Sequence, residues 1–192
     1  VVLTTSEVSD LYNDENSSTP TISSVSSDKA AGSYKAGEVI DIDVVFSAVV
    51  TVTGTPQITL ETGSTDQVVD YSSGSGGTTL TFNYTVQAGD TVSDLDYAST
   101  TALALNSGTI QDGSGNNASL TLPTVGGSDS LAGNEALVID TTSPSISSSA
   151  TASVAENQTS AIDINATDTN TIAYSISGGD STDFSINSSS GV

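Results

Sequence analysis

Two stretches of the chain alternate apolar and polar side chains with a period of two. In "EVIDIDVVF", Ile40, Ile42, Val44 and Phe46 fall on one face, with Asp41 and Asp43 on the other. In "TLTFNYTV", Leu80, Phe82, Tyr84 and Val86 share one face, and Thr81, Asn83 and Thr85 the other. Successive side chains of a strand point to opposite sides, so each run predicts a strand half-buried against a core. Shorter runs, "TVTGTPQITL" and "QVVDY", and the later "ASLTL" and "EALVID", predict further strands. Gly-rich breaks at "SSGSGG", "DGSGNN" and "VGGS" predict the turns between them. No segment carries a 3.6-residue period. The pattern therefore predicts an all-β fold, an antiparallel sandwich of about seven or more strands.

The pattern then restarts. Around Pro20 the sequence reads "STPTISSV" and around Pro144 it reads "TSPSISSS", each preceded by acidic or amide side chains. New alternation follows each echo, which predicts two successive domains with a linker before each. The expected division is 1–19, the tail of a preceding domain and a linker; 20–143, a β-sandwich; and 144–192, an incomplete domain. The last segment holds the strand-like runs "SVAEN", "AIDINATD", "TIAYSIS" and "DFSINSSSGV", in too few residues for a sandwich of its own. Its other half is expected to be missing, disordered or supplied by another chain. With no methionine, the sequence reads as a mature product or a window of a longer chain.

Charge narrows the partners. The chain carries 23 acidic residues against two lysines, with no arginine or histidine, for a net charge of -21. Such a surface repels nucleic-acid phosphates and anionic lipid heads and attracts cations. The absence of cysteine removes disulfides and thiolate metal sites, and no apolar run approaches the ~18 residues of a membrane span. Without histidine or cysteine there is no triad, thiol nucleophile or imidazole metal site. A carboxylate pair can hydrolyse glycosides, but three Phe, six Tyr and no Trp are few to line a sugar cleft. No enzyme is expected. Six Asn-x-Ser/Thr triplets, at Asn16, Asn83, Asn117, Asn157, Asn165 and Asn187, arise readily in a chain about one-third Ser and Thr.

The stretch "GSYKAGEVIDIDVVFSAVVTVTGTPQITLETG", with "YTVQAGDTVSDLDYASTTALALNSGTIQDGSGNNASLTLP" and "ALVIDTTSP", resembles an immunoglobulin-like repeat found in tandem in giant bacterial surface and secreted adhesins. The tail resembles the first half of a cadherin-like domain: "SVAEN" is similar to its early glutamate motif and "ATDTN" to its Asp-x-Asp motif, with Asn170 in place of the second aspartate. The fold implied is an Ig-like antiparallel β-sandwich followed by a partial cadherin-like one.

The resemblance implies Ca²⁺ at domain junctions. That ion takes six to eight oxygen ligands at ~2.3–2.6 Å from carboxylates, amides and backbone carbonyls. On a sandwich, Asp28 and Glu38 of the first turn and Asp90 and Asp94 after "NYTV" should gather at one pole, beside Asp140. The leading expected site combines members of Glu38, Asp90, Asp94, Asp140, Asp168 and Asn170. The opposite pole would gather Asp14, Glu15 and Asn16 of "NDEN" with Asp112 and Asn116 of "DGSGNN", and Glu156 would serve a junction one domain further on.

Plainer readings compete. An acidic residue in a turn usually solvates it or bonds its own backbone, "DGSGNN" reads as a hairpin turn, and Asp41 and Asp43 read as a solvated strand face. The function expected is an extracellular, calcium-stiffened extender of a bacterial surface adhesin or filament. Its partners would be neighbouring domains of the same chain, or homopolymers formed by strand addition. The alternative is a module that recognises carbohydrate, ice or a cell.

Overall fold

The computed structural model describes residues 3–5, 19–149, 151, 153, 155, 162–179 and 181–191. Its organising element is β3 (Val39–Thr53), fifteen residues long and shared by three neighbours. Its first half pairs antiparallel with β6 (Gly77–Thr85), in the register Ile40↔Tyr84, Ile42↔Phe82 and Val44↔Leu80. These are the inward positions that alternation assigned to each strand separately. Facing one another across a ladder, they bury completely or nearly so. Residues directly opposite on one face of an antiparallel pair are close enough to pack, and such pairs are the unit of sheet stabilisation.

β1 (Ile22–Ser26) flanks β3 on its other side, and beyond the register shift between Val45 and Val50 the second half of β3 takes β10 (Thr109–Gln111). From β6 the sheet continues through β5 (Gln67–Ser73) and β4 (Gln57–Glu61) to β8 (Asp96–Tyr97), with β9 (Leu103–Ala104) also on β4. This eight-stranded antiparallel sheet curls, so Val25, Ile42, Ile58, Leu60 and Tyr97 meet in one cluster.

A three-stranded sheet, β2 (Gly32–Tyr34), β11 (Leu137–Asp140) and β7 (Thr91–Val92), adds Leu137 and Ile139 to that core. The β2–β11 pair is parallel, the one departure from antiparallel pairing among the described strands. A parallel neighbour brings the end of β11, at Asp140, beside the end of β2.

Two sequence expectations change. "ASLTL" forms no strand: only an isolated bridge, Gln111↔Asn117, links the "DGSGNN" turn, although Leu122 is buried. Its amides are satisfied singly, Ser119 N by Pro20 O and Leu122 N by Thr100 O, so the apolar positions anchor a coil. A one-turn helix, α1 (Leu131–Asn134), also appears. Ser130 caps it by accepting from Gly133 N, and Asn134 Nδ2 donates to Val25 O at 2.8 Å. Gly133 is obligatory there, because a Cβ would lie 1.9 Å from Gly127 O.

In the tail, β12 (Ser145–Ile146) and β13 (Ala166–Thr167) form the only ladder among the described residues. "TIAYSIS" and "DFSINSSSGV" contribute isolated contacts, Tyr174 N to Ser188 O at 2.8 Å and Ile164 N to Gly191 O at 2.9 Å. Ile146 and Phe184 remain exposed, as expected when no second sheet covers an apolar face.

Candidate metal centre

Two groups of oxygen ligands stand out, and the register of the sheets explains both. The first lies on the outer face of the large sheet. Asp41 and Asp43 point away from the core, and Asp43 stands opposite Ser26 in the β1–β3 ladder. Leaving β1, the chain turns back so that Asp28 N donates to Asp41 Oδ2 at 2.7 Å. Carboxylate oxygens of Asp28, Asp41 and Asp43 then lie within 4.8 Å of one another, a grouping that can hold a metal ion.

At an effective dielectric of about 20, two unit charges at that separation repel by about 3 kcal/mol, and by less where water screens them. Partial burial holds the Asp43 carboxyl above the usual carboxylate range; the Thr81 hydroxyl, donating at 2.6 Å, opposes this, and the charges of Asp41 and Asp28 add to the rise. The sequence reading had Asp41 and Asp43 as a solvated strand face. That face is acidic and partly exposed, but an i, i+2 aspartate pair opposite a turn aspartate also brings three carboxylates together.

The second group lies where β11 ends. Asp140 is 4% exposed. Its Oδ1 accepts from the Thr142 hydroxyl at 2.5 Å and from Thr142 N at 2.9 Å. Those two bonds hold its pKa below the ordinary aspartate value; burial opposes them, and the nearby Thr169 hydroxyl and amide assist without closing a hydrogen bond to Oδ2. Oδ2 is buried with no hydrogen-bond partner. A buried, unpartnered carboxylate oxygen is costly and is rare in native structures.

Asn170 reaches the same place from the tail. Its Nδ2 donates to the Asp140 carbonyl at 3.0 Å, its Oδ1 accepts from the Ser33 hydroxyl at 2.7 Å, and its backbone N donates to Asp168 Oδ1 at 2.7 Å. Asp140, Asp168, Asn170 and Ser33 thus gather oxygen atoms, with one amide nitrogen among them. This is a donor set suited to a hard divalent cation and not to a soft one.

Asp90 belongs to this pole but is differently employed. It is 4% exposed, and its carboxylate accepts from Tyr84 OH at 2.5 Å, Gln87 N at 3.0 Å and Gln67 Nε2 at 2.9 Å. Its carbonyl accepts from the Thr141 hydroxyl at 2.9 Å, which fastens the residue after Asp140 to the core. Glu38 Oε2 caps the adjacent turn by accepting from Lys35 N at 2.8 Å, and Asp94 is exposed.

At the other end, the Asp112 carboxylate is held within its own turn by Asn116 Nδ2 and by the amides of Asn116 and Ser114. Those bonds, led by the Asn116 side chain, lower its pKa. Asp14, Glu15, Asn16 and Glu156 lie outside the described residues. Sequence reasoning missed Ser33 and Thr142, whose hydroxyls carry no pattern in a chain so rich in them. No helix among the described residues is long and apolar enough to cross a membrane. No protein-family model, curated protein or solved structure matches the chain.

Proposed function

We propose that this chain is an extracellular structural segment of a large bacterial surface adhesin or filament, stiffened by Ca²⁺ where the β-sandwich meets the segment that follows. The observation that carries the reading is Asp140: a buried carboxylate oxygen without a partner, on the residue whose carbonyl binds Asn170 of the tail. A cation at that point would satisfy Oδ2 and draw together ligands from both sides of the junction.

Asp140, Asp168 and Asn170 would hold the ion, with the Asp140 carbonyl, and Asp28, Asp41 and Asp43 supply a second, more exposed seat. Calcium fits because every available side-chain ligand is a hard oxygen and extracellular Ca²⁺ sites work at 10⁻⁴–10⁻³ M. At about 10 mM Ca²⁺, a hundredfold excess over a dissociation constant of about 10⁻⁴ M, binding stabilises the liganded arrangement by about 2.7 kcal/mol.

The test is thermal melting in EDTA against about 10 mM Ca²⁺. For a chain of this size, about 2.7 kcal/mol corresponds to a rise of roughly 5–10 °C. Asp140→Ala is expected to remove most of that rise. An unchanged melting temperature would refute the calcium reading.

A further inference from the structure

The "DGSGNN" turn takes no part in the proposed metal centre, yet it holds the chain's single Asp-Gly pair, Asp112–Gly113. In such a pair the backbone nitrogen of the glycine can attack the aspartate Cγ. The new N–Cγ bond closes a succinimide ring as the carboxyl takes up a proton and loses one oxygen as water. Water then adds back at one of the two ring carbonyls. Addition at Cγ restores aspartate. Addition at the Asp112 backbone carbonyl breaks the original peptide bond and leaves isoaspartate, with the chain running through the side-chain methylene.

The turn sets the pair up for this reaction. Gly113 is exposed and the space around its Cα is open, so no side chain screens its nitrogen. Its amide makes no hydrogen bond among the described residues. The Asp112 side chain curls forward along the chain, Oδ1 accepting from Ser114 N and from Asn116 N, each at 2.9 Å. A carboxyl that reaches past residue 113 carries its Cγ over the Gly113 peptide, the proximity on which intramolecular reactions depend.

The same turn also restrains it. Asn116 Nδ2 donates to Asp112 Oδ2 at 2.8 Å, so both carboxylate oxygens are tied and the group cannot rotate freely. The backbone is tied as well, Asp112 N to Asn116 O at 3.0 Å and Gly115 N to Asp112 O at 3.1 Å. Closing the ring turns the carboxyl and the backbone together, so these bonds must open first. We propose that Asp112–Gly113 is a site of spontaneous isoaspartate formation whose rate is set by Asn116. The product has a structural consequence. Its extra backbone atom falls beside the Gln111↔Asn117 bridge and the bond from Ala118 N to Ile110 O at 2.9 Å. One residue on, Ser119 N holds the Pro20 carbonyl at 2.8 Å, so conversion loosens the strap over the approach to β1.

The test stores parent, Asn116→Ala and Gly113→Ala in neutral buffer and follows isoaspartate at residue 112 by electron-transfer mass spectrometry. The folded parent should convert more slowly than the parent in urea. Asn116→Ala should convert about three- to tenfold faster than the folded parent, the effect of losing one hydrogen bond to a charged group. Gly113→Ala, whose added methyl meets open space in the fold but screens the nitrogen, should convert about tenfold more slowly or not at all. Melting temperatures of these exposed-turn variants should stay within a few degrees of the parent. If Asn116→Ala proves unfolded, Asn116→Ser, too short to reach Oδ2, takes its place with the same expectation. Equal rates in the folded parent and the Asn116 variant would overturn the restraint. Conversion at residue 112 that Gly113→Ala leaves unchanged, or none even in urea, would overturn the site itself.

Discussion

Replacing Tyr84 with Phe removes a single oxygen from the centre of the polar network that ties the core to the Asp140 end of the sandwich. Tyr84 is 2% exposed, and its hydroxyl donates to Asp90 Oδ2 at 2.5 Å. A hydrogen bond to a charged group contributes about 1.5–3 kcal/mol. Asp90 would keep Gln67 Nε2 and Gln87 N, so the lower part of that range, about 1.5–2 kcal/mol at neutral pH, is expected.

The alkaline limb is more diagnostic. Burial first, then the bond to Asp90 and its negative charge, hold the Tyr84 phenol well above its ordinary pKa of 10. A group whose folded pKa is raised contributes stability that is complete below the unfolded value and lost as pH rises past it. Between pH 8 and 11 one such tyrosine forfeits up to about 1.4 kcal/mol, and about 1 kcal/mol once solvent screening is allowed for. Tyr97, also raised by burial and by Asp96 and Asp129, is common to both proteins and cancels in the comparison. The assay is urea unfolding of parent and Tyr84→Phe at pH 7, 8 and 11. The variant should start less stable and lose about 1 kcal/mol less across the alkaline range. Equal stability at pH 7, or parallel losses to pH 11, would refute the account of Asp90 as an anchored carboxylate.

Other substitutions probe other links. Asp43→Asn keeps an acceptor for Thr81 and removes one of three mutually repelling charges; without divalent cation it should stabilise by up to about 0.5 kcal/mol in urea unfolding, and it should weaken cation binding measured by calorimetry. Ile42→Ala empties a fully buried position opposite Phe82 and should cost about 2–5 kcal/mol by the same unfolding assay. Ser107→Gly relieves a non-glycine residue at φ 64° and should raise stability by about 0.5–1 kcal/mol, read as a higher denaturation midpoint at unchanged slope.

The fold was most legible where one face of a strand is buried and the other wet. β3 and β6 show this, because their alternation named both the buried residues and, once paired, the register. "ASLTL" shows the limit: Leu120 and Leu122 pack on the core from a coil, and two apolar residues spaced by two do not distinguish that from a strand. The tail shows another: its described strand-like runs pair only in the short β12–β13 ladder, where Ile146 stays exposed, because alternation without a covering second sheet supports little pairing.

For the site, the sequence brought Asp140, Asp168 and Asn170 to one junction by analogy, and the fold adds Ser33 because β2 runs parallel to β11. The grouping of Asp28 with Asp41 and Asp43 was out of reach of periodicity. It depends on a turn after β1 folding back over a neighbouring strand, and no local pattern encodes that return.

The central claim is that calcium stiffens the junction at Asp140. The chain has no cysteine, so Thr51→Cys and Ser177→Cys, both at exposed positions, give a uniquely spin-labelled pair spanning the junction. Pulsed electron-electron resonance then reports the distribution of distances between the labels. A broad distribution in EDTA that narrows to one population in millimolar Ca²⁺, and stays broad in Asp140→Ala, is the predicted result. Identical distributions with and without calcium would contradict the account.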